Sequence, residues 1–91
     1  MREIPPHESL IEYPSSFPIK VMGVNVAGFR EAVVEIAREF DPGFQPDSVE
    51  VRASRAANYV GLTITVTATS REQLDALYRA LSSHPMVKVV L

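Results

Sequence analysis

No cysteine occurs in the 91 residues, which excludes disulfides, thiolate nucleophiles, zinc-finger sites and cysteine-ligated clusters together. No apolar run is longer than a handful of residues, so nothing in the chain has the length of a helix that crosses a bilayer. The start "MREIPPHESLIEY" has prolines and charges where a secretory signal needs an apolar stretch, and a cytoplasmic location is the expectation. Basic charge is not in excess either. With 9 Lys and Arg against 11 Asp and Glu, a net charge of -2 and a pI near 5.6, the chain lacks the electrostatic footprint of a general nucleic-acid binder. What is present is an ordinary globular composition, 46% apolar and 22% charged, in a chain long enough to bury one core without disulfides or metals.

Residues 1–16, with Pro5, Pro6 and Pro14, show no sustained period and are expected to form an irregular arm pinned by Leu10, Ile11 and Tyr13. A single domain, residues 17–91, should follow. Phe17, Ile19, Val21 and Gly23 alternate with Pro18, Lys20 and Met22 as in a half-buried strand. Phe29, Val33, Ile36, Ala37 and Phe40 then recur at helical spacing, which predicts a helix over about 26–40 with Asn25 as N-cap and a stop at Pro42 and Gly43. "DPGFQPD" is a turn by composition. Val49, Val51 and Ala53 make a second strand, and Val60, Leu62, Ile64, Val66 and Ala68, interleaved with threonines, make a third that pairs with it. Ser70 and Gln73 form a capping box ahead of the apolar stripe Leu74, Leu77, Tyr78 and Leu81, a helix running to about Ser83. "PMVKVVL" closes the chain as a strand with Val87, Val89 and Leu91 on the helix side and Lys88 and Val90 on the other.

The order β-α-β-β-α-β predicts an α+β, ferredoxin-like sandwich: a four-stranded antiparallel sheet of order 4-1-3-2 with two helices on one face. The uncovered face should carry Lys20, Met22, Glu50, Arg52, Tyr59, Thr63, Thr65, Thr67 and Lys88. RNA-binding modules of this fold stack bases on aromatics of the central strands, and only Tyr59 could serve, so nucleic acid is an unlikely partner. His7 and His84 lack further ligands at metal spacing and lack a serine and carboxylate for a triad, so no metal, cofactor or catalytic residue is assigned. Glu31, Glu35 and Glu39, with Arg30 and Arg38, form a solvated helix face.

Two candidate surfaces remain. At "GVNVAGF" a strand enters a helix through small residues, and the amides of Val26, Ala27 and Gly28, capped by Asn25, could hold a carboxylate or phosphate as the open end of the helix. The competing account is a tight corner and nothing more. An interaction surface of Lys20, Arg52, Tyr59, Lys88 and Val90 is the second candidate, for a partner protein; the alternative function is a nucleic-acid-binding adaptor that uses Lys20, Arg52, Arg55, Tyr59 and Lys88. The apolar last strand, an exposed edge, should also permit weak homodimers or capture of a partner strand.

"EYPSSFPIKVMG", "GLTITVTAT" and the ending "MVKVVL" resemble the YbeD family of small uncharacterised bacterial proteins over nearly the whole chain. The resemblance implies a ferredoxin-like domain similar to ACT regulatory domains, and family members carry a label as lipoate-related regulators. Asn25, Val26, Ala27, Gly28 and Phe29 match the ACT pattern at the strand-to-helix corner, with Ala27 where that pattern has proline. A non-enzymatic regulatory module that acts on a partner protein and senses a small carboxylate is the function the resemblance implies.

Overall fold

A computed structural model describes residues 12–53 and 58–91. Along the chain run β1 (Ser15–Val24), α1 (Phe29–Phe40), a 3₁₀ turn (Pro46–Ser48), β2 (Glu50–Ala53), β3 (Tyr59–Ala68), α2 (Arg71–Ser83) and β4 (Val87–Val90). The sheet order is β2-β3-β1-β4, every pairing is antiparallel, and the ferredoxin-like arrangement expected from the sequence is the one observed. Expected arm residues Leu10 and Ile11, with His7 and Arg55, lie outside the described residues.

Period-two patterning sets the faces of the long central pair. Ile19 opposes Ile64 and Val21 opposes Leu62, all four buried, and Val60, Val66 and Ala68 continue that face along β3. Phe29, Val33, Val34 and Ala37 of α1 and Leu74, Leu77 and Leu81 of α2 complete the core against it. β1 begins at Ser15, two residues before the expected Phe17, because Ser15 and Ser16 pair with Ala68 and Thr67.

Pro18 sits inside this central strand, where a missing N–H normally costs a ladder bond. Lys20 exchanges both backbone bonds with Leu91, at 3.1 and 2.8 Å, so Lys20 and, two residues earlier, Pro18 direct their backbone polar groups toward the β4 side. Pro18 lies past the last β4 partner among the described residues, and its ring removes no bond of the sheet.

Three expectations are corrected. The first helix starts at Phe29 and not near 26, because Gly28 precedes it at φ 91° and ψ -11°, a left-handed residue that cannot belong to an α-helix. In β4 the alternation slips: Gly23 opposes Val87 but Met22 opposes Val89, so Lys88 is an extra residue in a bulge. Val90 consequently faces the core beside Val21, and Val89 and Leu91 turn to the uncovered face. Val51 does lie on the helix side, yet it is 59% exposed because β2 is the sheet edge, and it takes no place in the core.

Candidate functional site

The strand-to-helix corner is built by two glycines with different jobs. Gly23 is buried, and a Cβ there would strike the Met86 carbonyl oxygen and come within 2.6 Å of the Phe29 ring; its lack of a side chain lets α1 and the entry to β4 close on the sheet. Gly28 has open space where a Cβ would point and is needed for its positive φ alone.

Between them the Asn25 and Val26 amides are engaged. The Asn25 N–H donates to Asn58 O at 3.0 Å, the Val26 N–H to Val24 O at 3.0 Å, and the Phe29 N–H to Val26 O at 3.3 Å. Asn25 is therefore not the N-cap, and Val26, Ala27 and Gly28 are not the first turn of the helix. Asn25–Gly28 is a turn that precedes the helix and not its open end, with the Val26 amide turned back on Val24 O.

The uncovered sheet face is richer. Cross-strand register puts Leu91, Lys20, Thr63 and Glu50 in one row and Val89, Met22, Gly61 and Arg52 in the next, with Tyr59 opposite Val24 beyond them. A shallow groove of about 370 Å³ runs over these rows, lined on its apolar side by Met22, Val89 and Leu91 and on its polar side by Lys20, Arg52 and Thr63, with Tyr59 at one end. The apolar members are well exposed, Met22 at 47% and Leu91 at 72%.

Of the expected interaction residues, Lys20, Arg52 and Tyr59 come together here. Lys88 stands apart in the bulge, and Val90 is turned away into the core side. Sequence reasoning placed Met22 on this face without giving it a role, and it missed Val89, Leu91 and Gly61. The bulge hid the first two; Gly61 was legible as the one break in an otherwise unbroken alternating run.

At the opposite end of the sheet, polar side chains work as structural ties. The Gln73 amide nitrogen donates to Phe40 O at 2.7 Å and Thr67 O at 3.1 Å, and its oxygen accepts from the Thr69 N–H at 2.6 Å. Ser70 Oγ accepts from the Gln73 N–H at 3.0 Å, so the capping box is half formed: Gln73 returns its bond to Thr69 and not to Ser70. His84 Nδ1 accepts the Met86 N–H at 3.2 Å, which holds the turn into β4. Among the described residues no group of three or more His, Cys, Asp or Glu could hold a metal ion.

The family model described as "Protein of unknown function (DUF493)" matches residues 8–91. A UPF0250 protein of Leptothrix cholodnii is 74% identical over 91 residues, covering 100% of both chains, and one of Bordetella pertussis is 64% identical over the same 91 residues. The solution structure of protein HP0495 from H. pylori superposes with a TM-score of 0.77 at 13% identity, covering 100% of this chain and 96% of that one. At that identity the likeness speaks for the fold.

Proposed function

The chain belongs to the DUF493 family, the YbeD family of UPF0250 proteins, and from that premise we propose that it is a non-enzymatic, cytoplasmic regulatory module whose working surface is the uncovered face of its sheet. It acts on a partner protein and answers to a small acidic ligand, in the manner of ACT domains. One observation carries this reading: Met22, Tyr59, Val89 and Leu91 gather exposed apolar surface on the face that no helix of the described residues covers, and Lys20 and Arg52 frame it. Exposed apolar patches of this kind, rimmed by polar groups, are what binding surfaces have in common. The central positions of the face are Lys20, Met22, Gly61 and Thr63, which offer no aromatic platform for bases and weigh against the nucleic-acid adaptor.

The test is site-specific photo-crosslinking in cells, with the probe at Met22 on the uncovered face or at Glu35 on the exposed side of α1. Discrete protein adducts from Met22 and none from Glu35 are expected. Adducts from Glu35 alone would move the working surface to the helices. Nucleic acid in the Met22 adducts, with binding that collapses as salt rises, would favour the adaptor instead.

A further inference from the structure

Gly61 is the third residue of the central strand β3, opposite Met22 on one side and Arg52 on the other. Glycine weakens a strand interior, so it persists where the backbone needs a positive φ or where something must come close. The described residues supply neither reason. Gly28, and not Gly61, is the positive-φ glycine among the described residues, and among those residues a Cβ on Gly61 would meet only the Arg52 carbonyl oxygen, at an ordinary contact distance of 3.6 Å. Gly23, where a Cβ would collide with backbone and ring, shows what a packing glycine looks like in this fold. The missing side chain at 61 instead leaves a notch in the groove floor, between Met22 and Arg52 and between Tyr59 and Thr63.

The chemistry around the notch is one-sided. Lys20 and Arg52 line it and, among the described residues, no side-chain carboxylate does; Glu50, on the same face beside Thr63, is outside the lining. β1 and β2 flank β3, about 10 Å apart, a span that two long cationic side chains close over a small group. Met22, Tyr59 and Val89 offer apolar surface next to those cations.

We propose that the notch over Gly61 binds a small amphipathic monoanion, its apolar body on Met22, Tyr59 and Val89 and its acidic group between Lys20 and Arg52. The proposal rests on the uncovered face being the working surface, and it names the ligand chemistry of that face.

Amide-resolved NMR titration of the full chain with hexanoate, hexylammonium and hexanol tests it. Hexanoate at millimolar concentration should shift the Met22, Gly61 and Thr63 amides saturably, and the other two probes should not. Gly61→Val should abolish the shifts while its thermal midpoint stays at or above that of the wild type, because valine suits a strand better than glycine. Arg52→Gln should weaken hexanoate about tenfold, the loss of one charge-assisted contact. Equal response to hexylammonium, unchanged binding in Gly61→Val, or no shift with hexanoate overturns the proposal. Failure here with Met22 crosslinks intact removes the notch alone, whereas loss of the crosslinks removes the face itself.

Discussion

The Asp41 carboxylate accepts the Thr67 backbone N–H at 2.9 Å across 26 residues of chain, joining the end of α1 to the far end of β3. Its other oxygen accepts the Gly43 N–H at 3.2 Å. Asp41 is the one buried charged residue among those described. β2 pairs with β3 only as far as Thr63, so Thr67 has no strand on that side to receive its donor, and the carboxylate stands in. Asp41→Ala should cost about 2–3 kcal/mol, since it strands a partly buried donor, and Asp41→Asn about half as much. Urea unfolding measures both, and an Asn variant no better than Ala would show that charge, not shape, holds the tie.

The two corner glycines should respond differently to the same change. Gly23→Ala meets backbone and an aromatic ring, and should cost about 3 kcal/mol or more through overpacking. Gly28→Ala meets nothing and should cost about 1–2 kcal/mol, the strain of a left-handed residue alone. Asparagine, which tolerates that conformation, should recover part of the loss at 28 and none at 23. Chemical denaturation of the four variants decides it.

Gly61→Ala should stabilise the fold by about 0.5–1 kcal/mol, the ordinary cost of glycine in a regular element, because the added methyl has room. A stabilising substitution at the floor of a binding groove is the pattern expected when function, not folding, keeps a residue small. A destabilised alanine variant would return Gly61 to the fold.

Burial raises the Tyr78 phenol above its ordinary value of 10.0, and its hydroxyl lies 3.4 Å from the Leu91 carbonyl it donates to. A raised folded value means the fold prefers the neutral phenol. That contribution is complete below pH 10 and drains away as pH climbs from 10 through the raised value. Thermal midpoints of the wild type should fall over that window more steeply than those of Tyr78→Phe; parallel curves would exclude the contribution.

Strand order, helix number and the long faces of β1 and β3 were legible because Ile19, Val21, Leu62, Ile64 and Val66 keep strict alternation, and α2 announces itself with Ser70. The corner was misread because "NVAG" resembles a helix start, and a left-handed Gly28 leaves no mark that separates it from a helical glycine. Val89 and Val90 exchanged faces because periodicity assumes an unbroken count, and Lys88 breaks it with an ordinary strand-edge residue. Gly61 was visible all along; its meaning needed the empty space beside it.

Pro18 has one more effect, on how far the sheet can grow. Among the described residues β4 covers only the later half of β1, and the backbone polar groups of Ser16 and Pro18 face the side where a further strand would pair. An arriving chain would find a carbonyl at Pro18 and no donor to match it, so a continuous ladder is broken at that step. The residue that costs the sheet no bond at this edge is thus also the one at which a strand added along β1 would lose one.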